Sequence, residues 1–204
     1  MAQKPSQQFL EVEDVREGIL ILKDKSLHSI LLVSSLNFDL KSEEEQQAII
    51  YQFQNFLNSL DFSVQILVQS RRLNITGYLE KLREIEFSQV SDLLREQTRE
   101  YRNFIQSLVG SGEIYSKNFF VIVPFYLQEI APTKKEYFWT KERFERAKIQ
   151  LLQRVEFVAL GLRRCGLQCA LLGTPEIIEL LWALHHPQEA EVGYFPEIPP
   201  EFIK

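Results

Sequence analysis

Two glycines have the spacing of a phosphate-binding loop, which would bind a nucleotide. Gly161 and Gly166 lie five positions apart in "GLRRCGLQC". In a phosphate-binding loop the turn leads from a strand into a helix, so that helix-start amides and a lysine face the phosphates. Here a predicted helix ends and a strand follows, and Leu167 and Gln168 stand in place of Lys and Ser or Thr. Because a helix C-terminus has the wrong dipole sign for phosphate, we interpret both glycines as helix termination and close packing.

Other residues that could catalyse a reaction or bind a metal are few. His185 and His186 are adjacent on a predicted helix, so their side chains point about 100° apart and cannot share one metal. His28 lies in a predicted strand. Cys165 and Cys169 have no second cysteine pair and no ligand-spaced histidine, and we interpret them as buried reduced thiols. The sequence also lacks a dinucleotide fingerprint and a nucleophile elbow. It therefore predicts a protein that is not an enzyme and that binds no cofactor and no metal.

The composition is that of an acidic globular protein. The 204 residues carry a formal net charge of −5, so no overall positive field attracts nucleic acid. The longest apolar run, "FFVIVPFYL", is far shorter than the roughly 20 residues of a membrane-spanning helix. The N-terminus lacks the apolar segment of a signal peptide. We therefore expect a cytoplasmic protein with no transmembrane segment.

The periodicity of apolar residues predicts an α/β (α+β) fold with two layers. We expect a mixed sheet of about five strands covered by helices, with a projecting helical hairpin that bends near Phe87 and Ser88. One apolar stripe of this hairpin runs through Val90, Leu94, Tyr101, Ile105 and Leu108. The acidic residues after Ser42 complement the dipole of a helix and close its capping box. The predicted strands are 18–22, 27–35, 62–70, 117–125 and 167–173, and the predicted helical stretches are 43–60, 75–108, 141–164 and 174–186.

These elements predict one domain with two flanking segments. Residues 1–8 are polar and form a flexible tail, and residues 9–187 form a single domain. Residues 188–204 are rich in proline and suit an extended exit segment.

Three groups of surface residues are candidates for binding a partner. Between Lys134 and Arg164 there are nine Lys or Arg against four Glu, which makes a local basic face in an acidic protein. This face is either an ordinary solvated surface or a docking site for anionic lipid headgroups or an acidic partner. Three aromatic residues in a predicted loop either mark an interface or fold back onto the sheet. The candidate partner-binding residues are Lys134, Lys135, Arg143 and Arg146, then Tyr137, Phe138 and Trp139, and finally Arg71 and Arg72 at the end of the third predicted strand.

The order of the elements resembles the N-terminal domain of the TraC-like ATPases of conjugative type IV secretion. The resemblance covers about residues 12–187 and rests on a series of apolar strands and on an "S-x-N-F" bend at Ser35 to Phe38. The segments that carry it are "GILILKDKSLHSILLVSSLNFDL", "SEEEQQAIIYQFQNFLNSL", "FSVQILVQSRRLNI" and "SKNFFVIVPF". One departure is Asp24 and Lys25 in the first turn, where the family often has Asp-Gly.

The resemblance implies a non-catalytic component of a secretion apparatus. In that family the domain precedes a hexameric motor that carries the phosphate loop, whereas this chain stops after its proline-rich exit. The implied partners are a motor ATPase or inner-membrane subunits, and peripheral contact with the inner membrane and homo-oligomerisation stay open. The alternative is a regulatory or nucleic-acid-handling accessory subunit that uses the basic face of residues 134–164, although the acidic net charge disfavours nucleic acid.

Overall fold

The computed structural model describes residues 11–72, 76–110, 115–126 and 139–192. These residues contain six strands and six α helices, which confirms the predicted α/β fold class. The strands are β1 (Val12–Arg16), β2 (Ile19–Leu22), β3 (Leu27–Val33), β4 (Gln65–Arg72), β5 (Tyr115–Phe125) and β6 (Cys169–Leu171). The helices are α1 (Glu43–Asn58), α2 (Thr76–Ser88), α3 (Asp92–Gly110), α4 (Lys141–Arg164), α5 (Thr174–His185) and α6 (Pro187–Val192).

The chain divides into two compact units. Within the described residues, the first unit holds 11–68, 118–126 and 139–180, and therefore most of the sheet together with α1 and α4. The second unit consists mainly of α2 and α3. The boundaries of the tail, the single domain and the exit segment stay predictions.

Strand β3 is the centre of the sheet, whose order is β1-β2-β3-β5-β4. One side of β3 pairs along its whole length with β5, from Leu27 opposite Phe125 to Val33 opposite Phe119. Its other side pairs with β2 near the start of the strand and with β6 near its end. These pairings are all antiparallel, whereas the sequence predicts a mixed sheet. The reason is that β5 lies between β3 and β4, so the strands on either side of α1 do not pair with each other. Because β3 has neighbours on both sides, its apolar residues become the centre of the core.

The sheet has one strand more than the sequence predicts. Strand β1 reads "VEDVR", and its two valines are too few to give an apolar pattern. The turn into β2 places Glu17 at φ 54° and Gly18 at φ 72°, both in the left-handed region. Two successive residues with positive φ are typical of the tight turns that join antiparallel strands. Strand β1 is therefore specified by its turn and its partner rather than by its own residues.

The turn between β2 and β3 contains Asp24 and Lys25 instead of Asp-Gly, and the contacts of Lys25 explain this difference. Lys25 has φ 68°, a conformation in which glycine is favoured and other residues are strained. Its Nζ atom lies 2.5 Å from the Glu13 carboxylate on β1, which glycine could not reach. The ion pair between Lys25 and Glu13 thus holds the turn against the edge strand β1.

Helix α4 packs against the sheet, and its predicted bounds are confirmed. Thr140 caps its first turn by accepting a hydrogen bond from the Arg143 N–H. The buried residues of α4 recur at the three- and four-residue spacing expected for one helix face. They are Phe144, Ala147, Leu151, Val155, Val158, Ala159 and Leu162.

The backbone conformation at the end of α4 shows the role of Gly166. Gly166 has φ 83°, and its N–H donates to the Arg163 carbonyl at 2.9 Å. The Leu167 N–H donates to the Leu162 carbonyl at 3.2 Å, which completes the pair of bonds that closes a helix with a left-handed glycine. Helix termination by Gly166 is confirmed. The geometry is the reverse of a strand-to-helix phosphate loop.

Gly161 lies inside α4, where the helix packs against α1. A Cβ atom built on Gly161 would lie 2.8 Å from Cε2 of Phe56 and closer still to its Cδ2. The Phe56 ring is itself buried in the core. The prediction that this glycine permits close packing is therefore confirmed.

Helix α1 begins as predicted and ends two residues early, at Asn58 instead of residue 60. The Ser42 side chain accepts from the Glu45 N–H, and the Glu45 carboxylate accepts from the Ser42 N–H at 3.0 Å. The hydrogen bond from the Ser42 N–H is the largest cause of the lowered pKa of the Glu45 carboxyl. The capping interpretation of the acidic residues is confirmed.

The start of the predicted exit segment is helical instead of extended. Helix α5 ends at His185, and Pro187 is the first residue of α6, which runs to Val192. A proline is well tolerated at the first position of a helix, because its missing N–H would have no helical partner there. The sequence pattern predicts a helix that ends at residue 186 and no helix after it.

Candidate interaction surfaces

Only some of the nine predicted partner-binding residues lie in the described parts of the chain. Lys134, Lys135, Tyr137 and Phe138 lie outside the described residues, as does the side chain of Arg72. The others lie on two different elements. Arg71 is half-buried near the end of β4, whereas Trp139, Arg143 and Arg146 lie at the start of α4.

Trp139 packs inward. Its ring meets the Phe144 ring edge-on, with centroids 6.1 Å apart and planes at 86°. The Arg16 guanidinium lies 4.3 Å from the centroid of the same phenylalanine ring. Trp139 also contacts the buried core cluster. Of the two roles left open for the aromatic residues, these contacts favour folding back onto the sheet for Trp139.

Some basic residues of α4 form contacts with other residues of the first unit. Lys148 forms an ion pair with Glu17, and this hydrogen bond raises the pKa of the lysine and lowers the pKa of the glutamate. Arg154 donates to the Pro124 carbonyl at 3.1 Å and stacks 4.8 Å from the Phe62 ring centroid. Arg146 is exposed. The face is thus less available to an anionic partner than its composition suggests.

A short polar chain lies in the turn between β2 and β3. The Ser26 hydroxyl donates to Asp24 Oδ1 at 2.5 Å, and Nε2 of His28 lies 2.9 Å from the same hydroxyl. Because that hydroxyl donates to Asp24, the imidazole is its donor. Ser26 is only 1% exposed, so a substrate could not reach its hydroxyl. The order Asp, Ser, His also differs from that of a nucleophile activated by a histidine. We interpret the chain as a structural network that fixes the turn.

His28 should make stability depend on pH. Burial lowers the pKa of His28, and the charge of Asp24 opposes this only in part. The unfolded chain therefore binds a proton on His28 more readily than the folded chain does. We expect the free energy of unfolding to decrease as pH falls below about 6.5, the ordinary pKa of histidine.

The measurement is urea unfolding between pH 7 and pH 5, with His28→Gln as the comparison. Glutamine can still bond to Ser26 but has no charge to gain. The variant should lose less stability than the parent over this range. Equal losses would show that other groups cause the dependence.

The two cysteines are free thiols. Cys165 is buried, and burial raises the pKa of both Cys165 and Cys169. A raised pKa keeps a thiol protonated and unreactive at neutral pH. The geometry thus gives these cysteines a packing role.

The helical hairpin α2–α3 has charges on its inner face. Glu86 on α2 is only 5% exposed, and its carboxylate meets two arginines of α3. Arg99 Nε donates to Glu86 Oε1 at 3.0 Å, and Arg102 Nε lies 3.2 Å from Oε2. Between these two arginines, the Tyr101 hydroxyl lies 3.3 Å from the hydroxyl of Tyr78, at the start of α2. These contacts fix the two helices against each other.

One exposed face of α3 is apolar, and within it only the Tyr101 hydroxyl has a described bond to α2. At about 100° per residue, five large side chains fall within one arc about 100° wide. Each of them is 46–70% exposed. We call them the α3 stripe: Leu93, Leu94, Tyr101, Phe104 and Leu108.

The bend between the helices continues this apolar surface. Phe87 is 70% exposed and Val90 is 98% exposed. Sequence reasoning found a stripe through Val90, Leu94, Tyr101, Ile105 and Leu108, but it missed Leu93 and Phe104. Ile105 lies at the edge of the same arc, about 20° from Leu94, and is half-buried. The sequence pattern alone does not show that Glu86 pairs with Arg99 and Arg102. This pairing turns the charged side of α3 towards α2.

Two general features hold for the part of the chain that the structure describes. None of its helices combines the length and apolar character that crossing a bilayer requires. Its His, Cys, Asp and Glu residues do not gather into a group of three or more that could hold a metal ion. Its exposed large apolar residues include the α3 stripe and those of the adjacent bend.

Comparison with known protein families identifies the chain. A search among curated proteins found no match. A family model described as the archaeal TraC-like domain matches residues 13–160. The matched range runs from β1 through the α2–α3 hairpin and β5 into α4, which confirms the resemblance seen in the sequence. Because this range spans well over half of its residues, the chain belongs to the TraC-like family.

Proposed function

We propose that this protein is a non-catalytic docking component of a conjugative type IV secretion apparatus. Its partner is the motor ATPase or an inner-membrane subunit, which it meets on the cytoplasmic side of the membrane. Membership of the TraC-like family supports the secretion context. The single observation that carries the docking role is the α3 stripe, an apolar helix face left exposed while the charged face of the same helix is paired with α2.

The inverted arrangement of the hairpin is the reason for assigning it a partner. Helices of globular proteins usually turn their apolar stripe towards a neighbour and their charges towards water. In α3 the half-buried Arg102 faces the buried Glu86, whereas Phe104 is 58% exposed. A contiguous exposed apolar surface of this kind marks an interaction site.

The charges of the hairpin favour a protein partner. Residues 76–110 contain five basic and six acidic residues, so they have no positive field for nucleic acid or anionic lipid. From Leu93 to Leu108 the stripe is about 23 Å long, at 1.5 Å per residue. That length suits one amphipathic helix of a partner laid along α3, or a groove that receives α3.

The direct test is capture of the motor ATPase and of candidate inner-membrane subunits by the tagged full-length chain. Leu93→Ser combined with Phe104→Ser removes two apolar anchors, and we expect capture to weaken at least about tenfold. The matched control is Asn103→Ser with Gln106→Ser. Both of these residues are exposed on α3 and lie outside the stripe. The control should bind normally, and both double variants should melt within a few degrees of the parent.

Two outcomes would contradict the docking role. One is equal capture by the two double variants. The other is ATP turnover by the purified chain, which would make it an enzyme.

The alternative function, handling nucleic acid through the basic face, predicts a different result. Tight binding of single- or double-stranded DNA that weakens steeply with added salt would favour it. Arg146→Glu should then reduce DNA binding, whereas the α3 stripe variants should leave it unchanged. The internal bonds of Lys148 and Arg154 make this the weaker of the two hypotheses.

A further inference from the structure

We propose that the α3 stripe is one half of a two-stranded coiled coil, and that the other half is a single partner helix with a basic edge. This inference rests on the proposed docking function and names the kind of partner that the stripe takes. Along α3, residues at the centre of the stripe follow one another in steps of three and four. They are Leu94, Gln97, Tyr101, Phe104 and Leu108. These steps are the a and d positions of a heptad repeat, whose average of about 3.5 residues keeps one seam facing a partner helix.

This seam lies on the surface of the hairpin and not between its two helices. The large side chains of Leu94, Phe104 and Leu108 are 46–58% exposed. A different side of α3 meets α2, because Arg102 pairs there with the buried Glu86. Helix α2 touches only the border of the seam, where the Tyr78 hydroxyl lies 3.3 Å from that of Tyr101. The seam is therefore open to a helix from another chain.

The hairpin makes a seam of only two heptads sufficient for binding. Isolated helices of this length are marginal in water, so two of them would not pair by themselves. Helix α3 is held in place by α2, since the Glu86 carboxylate binds Arg99 and Arg102 one helical turn apart. The partner thus meets a helix that is ordered before binding, and more of the contact energy contributes to affinity.

One position of the seam is polar. Gln97 occupies a d position between Leu94 and Tyr101 and is exposed. Its side chain makes no hydrogen bond in the part of the chain that the structure describes. A single polar residue in a coiled-coil seam lowers the affinity but fixes the register, because it has to meet a polar side chain of the partner. The seam therefore suits one particular helix instead of any apolar surface.

The edges of the seam show which charge the partner carries. Residues at the e and g positions of two helices meet across a coiled coil. Glu100 occupies a g position of α3, is exposed, and has no ion pair among the described residues. The other e and g positions between Leu94 and Leu108 hold no charged residue, and they are Thr98, Ile105 and Ser107. A partner helix with lysine or arginine along its edge complements Glu100.

The same edges argue against a second copy of this chain. In a parallel pair, the g position of one helix meets the following e position of the other, so Glu100 would face Ile105. In an antiparallel pair centred on the stripe, Glu100 would approach Glu100 of the second copy. Neither arrangement gives this carboxylate a basic neighbour. The charges therefore favour a different protein as the partner.

Two adjacent leucines test the heptad seam. Leu93 is 70% exposed and Leu94 is 48% exposed, but only Leu94 occupies a seam position. We expect Leu94→Ser to weaken capture of the motor ATPase or inner-membrane subunit at least about tenfold, and Leu93→Ser no more than about threefold. Circular dichroism checks that both variants stay folded. A larger loss at Leu93, or equal losses, would show an apolar patch without heptad packing and would overturn the inference.

Two synthetic peptides of three heptads test the basic edge without a secretion partner. Both carry leucine at the a and d positions, and one carries lysine and the other glutamate at e and g. The full-length chain should bind the lysine peptide at least about tenfold more tightly in fluorescence anisotropy. Glu100→Lys should reduce this preference, whereas Glu84→Lys, an equal charge change at an exposed position of α2, should keep it. Equal effects of the two substitutions, or no binding of either peptide, would overturn the inference.

The outcomes separate this inference from the proposed function. If the parent bound the lysine peptide but captured neither a motor ATPase nor an inner-membrane subunit, the docking role alone would be contradicted. If the parent captured a subunit and Leu93→Ser and Leu94→Ser had equal effects, the coiled coil alone would be contradicted. A dimer of the parent in sedimentation that Leu94→Ser dissociates would make a second copy the occupant and would overturn the inference.

Discussion

Replacing Trp139 with serine is expected to lower the free energy of unfolding by about 3 kcal/mol, near the cost of removing a well-packed aromatic side chain. For a chain of this size the melting temperature should fall by roughly 6–12 °C. The reason is the edge-on contact with Phe144, whose ring also lies 4.3 Å from the Arg16 guanidinium. Without the indole, part of the Phe144 ring would face water.

Trp139→Phe is the control, because it keeps an aromatic ring at the same position. It should retain most of the stability. Thermal unfolding followed by circular dichroism measures both variants. If Trp139→Ser melted with the parent and instead lost partner capture, the tryptophan would belong to an interface.

Replacing Gly161 with alanine is expected to cost about 2 kcal/mol, because the added methyl group overlaps the Phe56 ring. The ring is 7% exposed and is held in the core, so it has little room to move aside. In a helix whose glycine had free space, the same change would stabilise by up to about 1 kcal/mol.

Gly77 provides the matched control. It lies in α2, and an added Cβ would have nothing within 4 Å. Gly77→Ala should therefore leave the stability unchanged or raise it, in the same urea titration in which Gly161→Ala lowers it. Similar effects of the two substitutions would mean that helix propensity, and not the contact with Phe56, determines the result.

The elements that follow a strong local pattern could be predicted from the sequence. Helix α4 was predicted residue for residue, because a polar cap, an uninterrupted apolar face and a terminal glycine are all local signals. The capping box of α1 is equally local. Strand β1 was missed, because its stability comes from a turn with positive φ and from pairing with β2, which its own five residues do not encode.

The candidate site could be predicted only in part. The amphipathic character of the hairpin is visible in the sequence, but the side of α3 that faces α2 is not. That choice follows from Glu86, which binds Arg99 and Arg102 across the hairpin. For Trp139 the sequence left an interface and the core as equal alternatives, and the contact with Phe144 favours the core.

By itself, the sequence determined the fold class, the capped helices and the use of Gly166 to end a helix instead of opening a phosphate loop. These depend on backbone conformation and on neighbours within one or two turns, which the order of residues encodes directly. Only the tertiary structure decided which apolar residues are core and which stay exposed, because burial depends on partners that are distant in the chain. Leu82 and Leu93 show the difference: both are leucines on helices of the same hairpin, yet one is 8% exposed and the other 70%.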